Sequence, residues 1–326
     1  MIARKLFIGL AALAVASPDF AFAEDATVEV QVVDAMNKLF GAHAGFRAFH
    51  AKGIVVQGSF KASPEAASLS KAAIFDGSTI PVTVRFSDNG GFPTIPDGSA
   101  DASPRGMAIK FQLPDGSEAD MVTNSFKVFP VSTAAELRDL FLAAAASPPD
   151  AAKPTEIDKF VAAHPSVAAA ASTLGTPDSF ADEQYRGLNA FVFTNKAGEK
   201  QAVRYVIEPE RVVHLDPADA QKRDPNFMID ELKQRLAAKK VTFTLKAQIA
   251  APGDPTNDPS KPWPEDRKLV SLGVLTIDKA VANSEEAEKK LLYLPGQLPD
   301  GIEPSDDPMI DVRNGAYAVS FSRRNP

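Results

Sequence analysis

The sequence predicts an α+β protein in which an antiparallel β-barrel of about eight strands is surrounded by helices. At least seven segments alternate apolar and polar residues with the period of two that is typical of strands. Most of them follow one another without the alternating helices that parallel strands need. This pattern favours a sheet that closes, or nearly closes, on itself with the helices packed outside it.

The helices are expected mainly at the start and in the middle of the chain. Apolar residues recur at helical spacing over 28–40, and Gly41 ends the pattern. A second helix is predicted over 133–146, because Thr133 and Glu136 have the spacing of a capping box. Further helical patterns cover an alanine-rich stretch that continues to about Ser172, with an interruption at Pro165, and residues 227–236.

The predicted strands are bounded by Gly, Pro, Asp or Ser, the residues that usually end strands. They cover 53–60, 81–87, 107–113, 188–194, 201–208, 241–249 and 269–277.

Residues 1–23 have the pattern of a secretory signal peptide. A short basic start precedes an apolar run over 6–16, and the small-residue pattern Ala21-Phe22-Ala23 ends the segment. The apolar run is shorter than the roughly 18 residues of a membrane-spanning helix. We therefore expect an exported, periplasmic protein whose mature part, residues 24–326, forms one domain.

The composition restricts the chemistry that the chain can perform. It contains no cysteine, which excludes disulfides, thiol nucleophiles and thiolate metal sites, and it has only four histidines. The formal net charge is −7, and an acidic chain has no electrostatic attraction for nucleic acid or anionic lipid. We expect small-molecule partners, and neither nucleic acid nor a membrane.

Two segments near the first predicted strands carry candidate site residues. In RAFHAKG (47–53), His50 lies just before a strand. In PVTVRFS (81–87), Arg85 and Ser87 share one strand face, while the apolar residues occupy the other. Taken alone, a single histidine is most often structural, and a polar strand face is as readily solvated as functional.

A third candidate lies near the C-terminus, where Arg313 and Tyr317 are four residues apart. If this segment is helical, the two side chains are neighbours. A nearby guanidinium favours the phenolate form of tyrosine, which is a hard anionic ligand for Fe(III) and a known axial ligand of haem. Taken alone, such a pair is more often ordinary surface.

Four motifs taken in order resemble the haem-catalase superfamily: RAFHAKG (47–53), PVTVRFS (81–87), SPRGMAIKF (103–111) and DVRNGAY (311–317). The chain is more similar to the short, exported catalase-related peroxidase branch than to full catalases. This similarity rests on its size, its signal-peptide pattern, the stretch WPEDRKLVSLGVLTI and the ending AYAVSFSRR. The resemblance covers residues 30–326.

The resemblance implies a haem b cofactor and a role for each matching residue. His50 would be the distal acid/base, Tyr317 the proximal iron ligand, and Arg313 the partner of its phenolate. Arg47 and Arg85 would contact the haem propionates, and Ser87 would lie near the distal pocket.

The distal asparagine of the family has two candidates in this chain. Asn124 occupies the first of two asparagine positions in the family motif, and Ser125 occupies the second. We expect Asn124 to be the catalytic partner of His50, with Ser125 as the alternative.

The implied function is a haem peroxidase that reduces hydrogen peroxide or organic hydroperoxides with a small organic electron donor, with weak catalase activity. The family's Pro-Asp-Thr after the ligand tyrosine is absent, and the chain ends soon after Tyr317, so we expect a more open pocket than in full catalases. The alternatives are a hydroperoxide-rearranging enzyme of the allene-oxide-synthase type and a non-catalytic haem-binding barrel. We expect a monomer or a small homo-oligomer.

Overall fold

The computed structural model describes residues 26–325, and it has the predicted α+β architecture. The helices are α1 (Val28–Phe40), α2 (Ala66–Leu69), α3 (Ala134–Ala145), α4 (Glu156–Ala163), α5 (Pro165–Ser172), α6 (Pro217–Ala220), α7 (Phe227–Ala238), α8 (Ser284–Lys290) and α9 (Met309–Arg324). The strands are β1 (Gly53–Ala62), β2 (Thr79–Ser87), β3 (Gly106–Gln112), β4 (Glu118–Asn124), β5 (Thr176–Pro177), β6 (Tyr185–Arg186), β7 (Phe191–Thr194), β8 (Lys200–Pro209), β9 (His214–Leu215), β10 (Val241–Ile249), β11 (Leu269–Ala280) and β12 (Ile302–Pro304).

Eight antiparallel strands close into a barrel, as the sequence predicts. The order is β10-β11-β1-β2-β3-β4-β6-β8, and β8 pairs with β10 to complete the ring. Closure leaves these strands without free edges, which removes the usual risk of pairing with other chains. Aromatic side chains fill the interior, among them Phe60, Phe86, Phe111, Tyr185 and Phe243.

A second apolar layer lies outside the barrel, between α1, α3 and α9. Val32 and Ala35 of α1 pack with Leu140 and Phe141 of α3 and with Met309 of α9. The start of α3 is fixed by the predicted capping box, in which the Thr133 side chain accepts a hydrogen bond from the Glu136 backbone and the Glu136 side chain accepts one from the Thr133 backbone. This layer holds α9 against the barrel, and α9 carries Tyr317.

The strand β4 was not predicted, although it pairs with the whole of β3, and one predicted strand begins too early. The strand expected from residue 188 starts only at Phe191, because the side chain of Asn189 is bonded to Asp307 and Arg313 and so fixes this part of the chain outside the ladder.

The predicted signal peptide, residues 1–23, and the domain boundary at residue 24 lie outside the described residues. Within residues 26–325, no helix is long and apolar enough to span a bilayer.

Candidate active site

A large cavity lies between the barrel wall, the three packed helices α1, α3 and α9, and the segment 291–293. Its empty space, with the open space at its mouth included, is about 1470 Å³. Seven of the eight predicted site residues line it, and Ser125 does not: the seven are Arg47, His50, Arg85, Ser87, Asn124, Arg313 and Tyr317.

The loop before β1 holds His50 in a strained conformation. Its φ is 56°, which makes it the one non-glycine residue with a positive φ in the described chain, and such a conformation costs roughly 1–3 kcal/mol. Hydrogen bonds around the residue offset this cost. Ala51 N donates to the Gly90 carbonyl at 3.0 Å, and an Arg85 guanidinium nitrogen donates to the His50 carbonyl at 2.9 Å.

The ring of His50 is fixed through one nitrogen. Its Nδ1 lies 2.9 Å from the Asp88 carbonyl oxygen and 3.1 Å from the Ser87 hydroxyl. Because a carbonyl only accepts, Nδ1 carries the hydrogen, and Nε2 is then the nitrogen that can accept a proton. Burial and the positive charge of Arg85 lower the pKa of His50 to about 3, so the ring is neutral at ordinary pH and available as a base.

A buried ionic network supports Asp88, whose backbone carbonyl accepts the hydrogen bond from His50. The Asp88 carboxylate is paired with Arg105, and Lys52 lies 3.7 Å away. Lys52 in turn is paired with Asp97. Removing one partner from such a buried network is costly, so we expect the Asp88 backbone, and with it the His50 tautomer, to be held rigidly.

Gly106 leaves the room that His50 and Ser87 require. A Cβ at this position would lie 2.5 Å from the Ser87 Oγ and 3.1 Å from the His50 Nδ1. We expect Gly106→Ala to push the hydroxyl and the imidazole off their preferred rotamers, and to slow the reaction with peroxide about tenfold. Stopped-flow kinetics of the variant measures this.

The matched test of that prediction is a double variant. Ser87→Ala removes the hydroxyl, which is the closer of the two crowded groups, so adding Gly106→Ala to Ser87→Ala should slow the reaction less than Gly106→Ala slows it in the wild type. A double variant as slow as Gly106→Ala would show that the crowding is not with Ser87.

Asn124, rather than Ser125, faces the cavity. Asn124 is the last residue of β4 and pairs with Gly106 of β3. Its Oδ1 accepts a hydrogen bond from the Phe126 backbone at 3.0 Å, which leaves the Nδ2 hydrogens as the donors it can offer. The Ser125 hydroxyl instead accepts from the Arg105 backbone at 2.9 Å.

The segment that carries Arg313 and Tyr317 is helical, so the two side chains are neighbours on α9. Two guanidinium nitrogens of Arg313 lie 3.1 and 3.3 Å from the Tyr317 hydroxyl oxygen. Arg313 is itself fixed by the side chain of Asn189. Two charged donors that converge on one oxygen stabilise negative charge there.

The same helix is tied to the loop that carries His50. Ser320, three residues after Tyr317, accepts a hydrogen bond from the backbone of Ala48 at 3.1 Å. The two predicted catalytic elements, which are distant in the sequence, are therefore linked directly.

Arginines gather at one end of the cavity. Arg47 and Arg85 share the carboxylate of Glu288, at 3.3 and 2.6 Å. Arg47 and Arg324 both donate to the Leu291 carbonyl, at 2.9 and 2.6 Å. Burial, followed by the charges of Arg85 and Arg324, lowers the pKa of Arg47 well below its ordinary value. Two guanidinium groups thus share a single carboxylate, and Arg324 adds a third positive charge at this end of the cavity, called the arginine end below.

Sequence reasoning missed Arg324, although a signal was present. It follows Tyr317 by seven residues, which is about two helical turns, so both lie on the same face of α9. Its Nε atom is buried and has no hydrogen-bond partner among the described residues.

Comparison with known proteins places the chain in a family. The model of the catalase family matches residues 27–325. The chain belongs to the catalase family. It is an oxidoreductase that acts on peroxide, as the sequence predicts, and members of the family generally bind haem.

Short relatives match almost the whole chain. A catalase-related peroxidase of Mycolicibacterium paratuberculosis is 36% identical over 90% of this chain and 94% of its own length. A catalase-related peroxidase of Synechococcus elongatus is 35% identical over 98% of this chain and 96% of its own length. The catalase of Pseudomonas syringae is 29% identical over 89% of this chain, which spans only 59% of that protein. The predicted resemblance to the short branch is confirmed.

A solved structure supports the fold. A fungal catalase superposes with a TM-score of 0.76, at 19% sequence identity, over 97% of this chain and 66% of the other.

The residues of the cavity fit a haem. A haem combines an apolar macrocycle, two propionates and an iron that takes axial ligands. The arginine end has an excess of positive charge and two buried donors without a partner in the described chain, Arg324 Nε and the Tyr293 hydroxyl. Tyr317 offers a phenol oxygen as an iron ligand, and the two hydrogen bonds from Arg313 stabilise negative charge on that oxygen. The walls are largely apolar and include Val32, Val33, Met36, Phe126, Phe129, Leu137, Leu140 and Phe141.

Proposed function

We propose that this protein is a haem b-dependent peroxidase that reduces hydrogen peroxide or organic hydroperoxides at the expense of a small organic electron donor. One observation carries the proposal. A neutral histidine with a defined tautomer, His50, and a tyrosine bonded to a guanidinium, Tyr317, line the same largely apolar cavity.

Each residue has a task that follows from its surroundings. Haem, when bound through Tyr317, supplies the iron at which the peroxide O–O bond is cleaved. His50 Nε2 accepts the proton of the hydroperoxide and returns it to the departing oxygen, so that water or an alcohol leaves. Arg313 stabilises the negative charge of the Tyr317 oxygen. Arg47, Arg85 and Arg324 hold the carboxylates of the cofactor.

A peroxidase cycle is favoured over a catalase cycle for two reasons. The relatives that match nearly the full length of the chain are named catalase-related peroxidases, whereas full catalases are less similar and much longer. The distal side also departs from the family motif at one position. Asn124 offers its Nδ2 hydrogens to the cavity, but the second asparagine position of the motif holds Ser125, whose hydroxyl is bonded to the Arg105 backbone and does not line the cavity.

The test is a balance of products for haem-loaded protein. Peroxide consumption, O₂ release and oxidation of a phenolic donor are measured in the same reaction. We expect donor oxidation to account for most of the peroxide, with little O₂. A product balance dominated by O₂ would overturn the peroxidase assignment, and conversion of a fatty hydroperoxide to an isomer without any donor would support the rearranging alternative.

We also propose that the protein is exported to the periplasm and acts as a monomer or small homo-oligomer. The pattern of residues 1–23 supports export. Cell fractionation and light scattering of the purified protein measure the two properties, and retention of the full-length chain in the cytoplasm would contradict export.

A further inference from the structure

Tyr293 is a buried tyrosine whose hydroxyl has no partner in the described part of the chain. The residue is 6% exposed, it lines the cavity, and its hydroxyl oxygen is fully buried. Buried polar groups are nearly always hydrogen-bonded, because an unmade bond costs stability. Because Tyr293 lines the cavity, a ligand that fills the cavity is a candidate for the missing partner.

The position of Tyr293 links it to the arginine end of the cavity. Two residues earlier, the Leu291 carbonyl accepts hydrogen bonds from Arg47 and Arg324. Burial raises the pKa of the Tyr293 hydroxyl well above its ordinary value, and the charges of Arg47 and Arg85 act in the opposite direction. The hydroxyl is therefore protonated, and it offers a hydrogen to a region that has excess positive charge.

The contacts on the other side of Tyr293 hold its ring in place. Lys110 Nζ lies 5.6 Å from the ring centroid and is paired with Asp120 at 2.9 Å. Asp120 also accepts a hydrogen bond from the backbone of Leu294 at 2.8 Å. The chain around Tyr293 is thus anchored on both sides by contacts that do not use the hydroxyl.

We infer that Tyr293 is a carboxylate-binding residue: its hydroxyl donates a hydrogen bond to a carboxylate of the ligand whose negative charge Arg47, Arg85 and Arg324 neutralise. The inference rests on the proposed function, in which that ligand is haem and the carboxylates are its propionates. Glu288 pairs with two of the three guanidinium groups, those of Arg47 and Arg85, so charge balance for the three arginines calls for about two more carboxylates. The Tyr293 hydroxyl and Arg324 Nε are the unpaired donors that would bond to these carboxylates.

The test is Tyr293→Phe, which keeps the ring and its contact with Lys110 and removes only the hydroxyl. Haem-depleted protein is titrated with haemin and, separately, with haemin dimethyl ester, in which both propionates are neutral. We expect the variant to bind haemin about tenfold or more weakly than wild type. With the dimethyl ester, the difference between variant and wild type should fall to less than about threefold, because a bond to a neutral acceptor is weaker.

Two further measurements separate this role from a structural one. Tyr205→Phe, a change at a buried tyrosine of the barrel that does not line the cavity, should leave haemin affinity unchanged. The haem-depleted Tyr293→Phe protein should melt at the same temperature as wild type or higher, because it loses a polar group that has no partner.

Equal haemin affinity in wild type and Tyr293→Phe would overturn the inference, and so would an equal loss of affinity for haemin and its ester. A lower melting temperature of the haem-depleted variant would also count against it. If wild type itself shows no saturable haemin binding, the proposed function fails first, and this result is distinct from the other three.

Discussion

Replacing His50 with asparagine is expected to slow the reaction with hydrogen peroxide by about 10²–10⁴-fold, the usual contribution of a positioned acid/base group. Asparagine is the suitable substitute because it tolerates the left-handed backbone that His50 adopts. It has no basic nitrogen that could take up the proton of the peroxide. Haem affinity should stay within a few-fold of wild type, since the arginine end and Tyr317 are untouched.

Stopped-flow mixing of haem-loaded protein with peroxide gives the rate constant directly. His164→Gln is a matched control, because His164 stacks on Phe160 and does not line the cavity. An unchanged rate in His50→Asn would rule out His50 as the acid/base, and it would favour the reading of the protein as a haem-binding barrel without catalysis.

Replacing Tyr317 with phenylalanine is expected to speed the loss of haem by more than about 100-fold. Removing a residue that only supports a metal ligand usually costs roughly 10–100-fold, and this change removes the proposed ligand itself. The ring and its packing against Arg313 are kept, so the lost oxygen alone accounts for the effect. Transfer of haem to apomyoglobin measures the rate of loss.

Arg313→Lys provides an intermediate case in the same assay. It keeps a positive charge but loses the fork of two donors that converge on the Tyr317 oxygen. Haem should leave Arg313→Lys faster than wild type and more slowly than Tyr317→Phe. If all three release haem at the same rate, Tyr317 does not bind the iron.

The barrel could be predicted from the sequence because most of its strands show their alternation openly. The strand β4 is an exception, since a polar residue, Thr123, follows Ala119 and Met121 on the buried face. Thr123 is buried because its hydroxyl donates to the Met107 carbonyl at 2.7 Å, and this partner comes from another strand. Local pattern reading has no access to such tertiary compensation.

The choice between Asn124 and Ser125 shows the same limit. Asn124 lines the cavity, whereas the Ser125 hydroxyl accepts a hydrogen bond from the Arg105 backbone, which lies some twenty residues earlier in the chain. The sequence gives the candidates but not the register.

The arginine end was only partly visible in the sequence. Arg47 and Arg85 lie in motifs, and Arg324 follows Tyr317 at a helical spacing. Glu288 and Tyr293 carry no local signal, because each meets the arginines only after α8 and the segment that follows it pack against the barrel.

The most direct test of the account is an optical titration of haem-depleted wild-type protein with haemin. We expect a Soret band to grow to a sharp end point at one haemin per chain, and the final spectrum to show the charge-transfer bands of a ferric haem with a phenolate ligand. A titration without an end point, or a final spectrum typical of a histidine-ligated haem, would contradict it.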